Sequence, residues 1–87
     1  MYVILVYDIE QKRVAKMLKL CRRYLNWIQN SVFEGEITSA KLRQLKADAK
    51  EIIDIDKDSV ILFINREKRC LEKDILGQQK NDLENII

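Results

Sequence analysis

The sequence predicts one domain of the α+β class, and three features of its 87 residues support this. The run from Tyr2 to Tyr7 is continuously apolar and rich in β-branched and aromatic residues, which is typical of a central strand covered on both faces. A second apolar run, Val60 to Ile64, predicts another buried strand within residues 59–65. Between these runs, two stretches with apolar residues at three- and four-residue spacing predict helices.

The first predicted helix spans residues 10–25 and has two distinct faces. One face is apolar and includes Val14, Met17 and Cys21. The opposite face carries only basic charges, at Lys12, Lys16, Lys19, Arg22 and Arg23. Rows of lysine and arginine commonly do no more than solvate a helix, but a long row of one sign also suits contact with phosphates. A second basic row is expected on the next helix, at Arg43, Lys46 and Lys50.

The remaining elements complete a β-α-β-β-α-β order. Residues 26–37 carry interrupted β-formers, which indicate two short strands or one bent strand. Thr38 or Ser39 can cap a second helix that runs to about Ile53. This order predicts a ferredoxin-like sandwich, with two helices on one face of an antiparallel sheet. We expect residues 1–77 to form this domain, including an additional late strand at residues 71–76, and residues 78–87 to form a tail.

Composition excludes several classes of chemistry. The chain has no histidine and only two glycines, so it has no histidine-based nucleophile pair, no H-E-x-x-H zinc helix and no glycine-rich nucleotide loop. Cys21 and Cys70 form no C-x-x-C pair and are expected to be reduced thiols. The first strand is too short to cross a bilayer and no basic segment precedes it. We therefore expect a cytoplasmic protein without a membrane partner. The net charge is only +2, so any affinity for nucleic acid depends on how the charges are arranged.

Four motifs resemble the CRISPR-associated Cas2 family in order and spacing. They are V-Y-D-I at residues 6–9, I-Q-N-S-V-F-E-G-E-I-T at 28–38, D-S-V-I-L-F at 58–63 and L-E-K-D-I-L-G at 71–77. The resemblance implies a ferredoxin-like homodimer that exchanges the late strand between protomers. It also implies assembly with an integrase that inserts foreign DNA into the CRISPR array, and metal-dependent endonuclease activity on RNA or DNA.

The resemblance also implies roles for particular residues. Asp8 takes the family's acidic position, where two copies facing each other across a two-fold axis would bind Mg²⁺ or Mn²⁺ and form the catalytic site. The resemblance places Arg13 at a basic position early in the first helix, and together with the basic face of that helix this gives the expected nucleic-acid contacts: Lys12, Arg13, Lys16, Lys19 and Arg23. The residues that match the motifs, and are candidates for dimer contacts, are Tyr7, Ser31 and Phe33. Two positions depart from basic residues of some members, since Gln11 and Trp27 stand there.

Several interpretations stay open at this point. Asp8 could cap the first helix instead of binding metal, because an acidic side chain suits a helix N-terminus. Phe33 and Trp27 could pack in the core or a dimer contact, or could stack on bases. At the level of function, the adaptation scaffold bound to duplex DNA has two alternatives. One is a free-standing metal-dependent ribonuclease acting on single-stranded RNA, similar to virulence-associated toxins, and the other is a general protein-interaction module.

Overall fold

The structure is a computed structural model that describes residues 1–78 and 80 of the chain. Its elements are β1 (Tyr2–Asp8), α1 (Gln11–Arg22), β2 (Asn26–Gln29), β3 (Val32–Glu36), α2 (Ser39–Ile52) and β4 (Ser59–Asn65). The four strands form one antiparallel sheet in the order β2-β3-β1-β4. The predicted ferredoxin-like α+β fold is confirmed, and the interrupted stretch 26–37 is two strands rather than one bent strand.

Alternation along β1 separates the two faces of the sheet. Val3, Leu5 and Tyr7 are buried on the face that carries the helices. In the register, Leu5 lies opposite Phe33 of β3 and Leu62 of β4, so these side chains share that face. Phe33 and Leu5 are among the largest fully buried side chains of the chain. The core therefore lies between the sheet and the two helices.

The helices begin and end for different reasons. Thr38 rather than Ser39 is the N-cap of α2, and its hydroxyl accepts a hydrogen bond from the Lys41 backbone N–H at 3.2 Å. α1 begins after Glu10, and no side chain caps it. It is shorter than predicted, because the chain turns after Arg22 and residues 26–29 join the sheet. Neither helix is long and apolar enough to span a membrane.

Within residues 1–78 and 80, no helix lies on the other face of the sheet. This face carries the alternate residues of β1 and the exposed apolar side chains of β4, Ile61 (51% exposed) and Phe63 (58%). The expectation that β1 is covered on both faces is therefore wrong for a single chain. We call this surface, with Ile4, Val6, Asp8, Ile61 and Phe63, the open sheet face; the register places all five residues on the same side.

The late segment 71–76 crosses the part of the open sheet face that lies over β2 and β3. It runs past Ile4, Ile28 and Val32, and the ammonium group of Lys73 bonds to the Glu34 carboxylate. The segment forms no strand in the single chain, because β3 is already paired with both β2 and β1. Its exchange between protomers stays a prediction. The predicted tail, residues 78–87, falls mostly outside the described residues.

Candidate nucleic-acid interface and acidic site

Asp8 is the last residue of β1 and its side chain is exposed. It lies opposite Ser59 on the open sheet face. The N-cap of α1 is Glu10 rather than Asp8, so the helix-capping interpretation of Asp8 is wrong. Among the described residues, none forms a hydrogen bond or ion pair with the side chain of Asp8. Its carboxylate is therefore available to bind a cation or a second molecule.

A buried carboxylate next to Asp8 holds three segments of the chain together. Asp58 immediately precedes β4, and its side chain is 0% exposed. It accepts hydrogen bonds from the backbone N–H of Glu10 (3.0 Å) and of Asp54 (2.8 Å). It also accepts from Nε of Arg13 at 2.6 Å and from Nη2 of Arg13 at 3.0 Å. Asp58 thus joins the β1–α1 turn, helix α1 and the loop before β4.

The pairing of Asp58 with Arg13 shifts the pKa of both groups. The hydrogen bonds from the guanidinium hold the pKa of Asp58 well below its usual value, against the opposite effect of burial. The same hydrogen bonds raise the pKa of Arg13. Both groups are therefore charged in the folded chain at neutral pH. A buried charge pair of this kind depends on its geometry, because removal of one partner leaves the other buried and unpaired.

This arrangement corrects one predicted contact. Arg13 was expected to bind nucleic acid, but its side chain is only 15% exposed and forms a two-point contact with Asp58. The structure gives Arg13 a structural role at the start of α1. Asp54, Asp56 and Asp58 form one acidic stretch of the sequence, and Asp58 also begins the D-S-V-I-L-F motif. Its place at the start of that motif, directly before β4, was the available sign that it differs from Asp54 and Asp56.

The basic face of α1 lies where the sequence predicted it. Four of the five predicted nucleic-acid contacts have exposed side chains: Lys12, Lys16, Lys19 and Arg23. Arg22 is exposed on the same helix, and the second basic row is exposed on α2, which packs beside α1. Lys12 also lies 3.8 Å from Glu10, which is 3.7 Å from Lys57. The cations around Glu10 offset its charge, and the rest of the α1 row is uniformly positive.

The candidate dimer contacts divide between core and surface. Phe33 is 0% exposed and Tyr7 is 5% exposed, and their rings stack with centroids 6.1 Å apart. Burial raises the pKa of Tyr7. Both rings face the helices of their own chain, so the expectation that they contact a partner, or that Phe33 stacks on a base, is wrong. Ser31 is half-buried and its carbonyl accepts from the Tyr7 backbone N–H at 3.2 Å; its dimer contact stays a prediction.

The acidic groups of one chain fit a metal ion only in part. In residues 1–78 and 80, no three His, Cys, Asp or Glu side chains form a group that could hold an ion. Asp8 offers one exposed carboxylate, and Mg²⁺ commonly takes one or two carboxylates with several waters. The donor set therefore fits Mg²⁺ or Mn²⁺ as half of a site that two chains would share.

Comparison with known proteins identifies the family. The family model described as CRISPR associated protein Cas2 matches residues 1–74. A relative from Dictyoglomus turgidum is 52% identical over 87 residues, which is 100% of both chains. A relative from Thermotoga maritima is 44% identical over 82 residues, or 94% of each chain. Both relatives are named CRISPR-associated endoribonuclease Cas2.

Solved structures agree with the sequence match. A crystal structure described as cas2 superposes with a TM-score of 0.80 at 41% identity, over 92% of this chain and 90% of that one. Streptococcus pyogenes Cas2 gives a TM-score of 0.70 at 31% identity, over 83% of this chain and 100% of that one. The motifs that suggested the resemblance lie almost entirely within the matched residues. The chain belongs to the CRISPR-associated protein Cas2 family.

Proposed function

We propose that this chain works as a homodimer that binds nucleic acid and hydrolyses phosphodiester bonds at a site shared by two protomers. The observation that carries the proposal is the position of Asp8. Its free carboxylate lies on the open sheet face, which also exposes Ile61 and Phe63. Exposed apolar surface of this kind on a small domain is typical of a protein contact. A two-fold contact uses the same patch on both chains, so both Asp8 carboxylates would lie at one interface.

The paired carboxylates supply the donor set that one chain lacks. Two Asp8 side chains fit Mg²⁺ or Mn²⁺, and such an ion, when bound, stabilises charge on a phosphate and lowers the pKa of a bound water. In this scheme the role of Asp8 is to bind the ion and to fix its position. Asp58 fixes the turn that follows Asp8 by accepting from the Glu10 N–H at 3.0 Å. No histidine is present to move protons, and the names of the relatives support an endoribonuclease.

The basic face of α1 supplies the affinity for nucleic acid. Its exposed cations point away from the sheet, on the side of the helix opposite the buried Met17, Leu20 and Cys21. Contacts of this type are made with phosphates and carry no sequence information. Binding should therefore be nearly independent of sequence and steeply dependent on salt. Duplex DNA is the expected ligand for a protein of spacer acquisition.

We further propose that the dimer bridges an integrase during spacer acquisition in the cytoplasm. The family match to CRISPR proteins supports this, and a two-fold dimer presents each of its surfaces twice, as a bridge requires. Co-purification with the integrase encoded beside the same repeat array tests the assembly. A spacer-integration assay with and without this chain tests its role. Integration at the same rate without the chain would contradict the bridging proposal.

The variant Asp8→Asn separates hydrolysis from binding. Asparagine keeps the shape of the side chain and removes its charge, so the shared site loses its anionic ligands. Cleavage that depends on Mg²⁺ or Mn²⁺ should fall to background, whereas dimerisation and binding of duplex DNA should persist. Gel assays of RNA and DNA cleavage, sedimentation and fluorescence anisotropy measure the three properties.

Asp56→Asn is the matched control. Asp56 is also exposed and acidic, but it lies in the loop between α2 and β4 rather than on the open sheet face. Asp56→Asn should leave cleavage, dimerisation and binding of duplex DNA unchanged. Cleavage that survives in Asp8→Asn, or that persists in the presence of a chelator, would show that Asp8 is not the hydrolytic site.

A further inference from the structure

An arginine and the only tryptophan of the chain form a cation–π pair at the C-terminal end of α1. The guanidinium carbon of Arg22 lies 5.6 Å from the centroid of the Trp27 ring. The ring is held in place from its other end, because Nε1 of Trp27 donates to the Asn30 carbonyl at 3.0 Å. Asn30 adopts the left-handed conformation, with φ of 45°, in the turn between β2 and β3. The geometry of this pair is therefore set by two separate elements, a helix and a turn.

The pair is accessible and lies among other cations. Arg22 is exposed and Trp27 is half-buried, so part of the surface of the pair is open to solvent. Lys19 is exposed one turn earlier on α1, within reach of the same ligand. Arg23, the next residue, lies 5.7 Å from the ring of Tyr24. The end of α1 thus combines flat groups for stacking with charges for phosphate.

We propose that the Arg22–Trp27 pair binds an unpaired base of single-stranded nucleic acid, with the base stacked on the guanidinium and its phosphate near Lys19. This rests on the proposed function, in which the chain binds nucleic acid, and it adds a site for a different ligand. Stacking on arginine and aromatic planes requires the face of a base. A duplex encloses its base faces and offers phosphates and base edges. The pair therefore selects unpaired nucleotides, whereas the rest of the α1 face binds phosphates of either form.

A simpler role for Arg22 gives a different expectation. Lys19 and Arg22 are the basic residues of the last turn of α1, where positive charge offsets the negative end of the helix dipole. That role needs charge but no flat group. Arg22→Lys keeps the charge and removes the plane, so it distinguishes the two roles. Arg43→Lys makes the same substitution at an exposed position of α2 and serves as the control.

Trp27 reports on the site directly, since all tryptophan emission comes from it. The probes are a twelve-nucleotide oligo-dT, the matching oligo-U, and a dumbbell duplex with as many phosphates, whose ends are closed by non-nucleotide ethylene-glycol linkers so that it has no unpaired base. Both single strands should quench the emission in a saturable way, and the dumbbell should bind without quenching it. Arg22→Lys should lower the affinity for single strands by about fivefold or more and leave that for the dumbbell unchanged. Arg43→Lys should change neither.

Anisotropy of labelled probes separates this inference from the proposed function. Single strands that bind by anisotropy without any change in Trp27 emission would overturn the inference and leave nucleic-acid binding intact. Equal single-strand affinity of Arg22→Lys and wild type would overturn it as well, and would support the helix-dipole role. If none of the probes binds, both the inference and the proposed nucleic-acid binding are wrong. Quenching by only one of the two single strands supports the site and identifies its ligand as DNA or RNA.

Discussion

The dimer can be tested at Phe63, the residue that contributes most clearly to the open sheet face. Its side chain is 58% exposed, which for a phenylalanine leaves roughly 100 Å² of apolar surface in water. Burial of that area contributes about 2.5 kcal/mol at ~25 cal/mol per Å². A two-fold interface contains the residue twice, so about 5 kcal/mol of association depends on it. Phe63→Glu should therefore raise the dimer dissociation constant by more than three orders of magnitude.

Ile55→Glu provides the matched control for this prediction. Ile55 is 79% exposed, and it lies in the loop between α2 and β4 rather than on the sheet. Sedimentation velocity from nanomolar to micromolar concentration measures both variants, and circular dichroism checks that each is folded. The Ile55 variant should match wild type. A Phe63→Glu protein that remains dimeric at nanomolar concentration, or a wild type that is monomeric at micromolar concentration, would refute the open sheet face as the interface.

Three further predictions follow from the charges and thiols. Substitution of Lys16, Lys19 and Arg23 by Glu should weaken the binding of duplex DNA. The slope of log affinity against log salt concentration should fall by about three for each protomer that contacts the DNA. Affinity equal to that of wild type would mean that the binding surface is assigned wrongly. The lowered pKa of Asp58 stabilises the fold above pH 3.8, its ordinary value, and this stabilisation is lost as the pH falls toward the folded pKa. Urea unfolding of Asp58→Asn should thus show lower stability at pH 7 and a weaker decrease below pH 4 than wild type, and parallel pH curves would contradict this. Burial raises the pKa of Cys21 to about 12, whereas Cys70 is exposed. Iodoacetamide should therefore modify only Cys70 in the native protein, as measured by mass spectrometry. Rapid modification of both thiols would contradict the burial of Cys21.

The fold was predictable because its signals are local. Continuous apolar runs identified β1 and β4, three- to four-residue spacing identified both helices, and residue type limited the cap of α2 to Thr38 or Ser39. The late segment 71–76 was not predictable in the same way. Its apolar residues indicate a strand, but a strand needs an edge to pair with, and β4 is a free edge that the segment does not reach within its own chain. Sequence patterns give propensity, whereas pairing depends on which edges are available.

The acidic site was predictable only in part. Asp8 was singled out from its motif, and its metal-binding role stays a prediction. The burial of Asp58 could not be predicted, because burial of a charge depends on partners distant in sequence. Arg13 lies 45 residues before Asp58, and no local pattern joins them. The missed role of Asp58 and the wrong contact predicted for Arg13 have the same cause. Arg13 was predicted to bind phosphate, but it pairs with the Asp58 carboxylate. Charged residues on the polar side of an amphipathic helix are predicted to be exposed. One ion pair with a residue distant in sequence is enough to bury one of them, as it does for Arg13.

The two-layer architecture would allow so small a chain to support both the proposed association and the proposed nucleic-acid binding. The helices pack on one face of the sheet and present their cations outward, so the opposite face would be available to the proposed second copy. Variants of Phe63 and of the α1 row should therefore act independently, because they lie on opposite sides of the core. Asp8 is the exception. It belongs to the open sheet face, yet it lies only three residues before α1, so a nucleic acid bound to that helix would lie near the proposed site shared by two chains. On this arrangement hydrolysis requires both surfaces, and either set of variants should abolish cleavage while only one set affects the dimer.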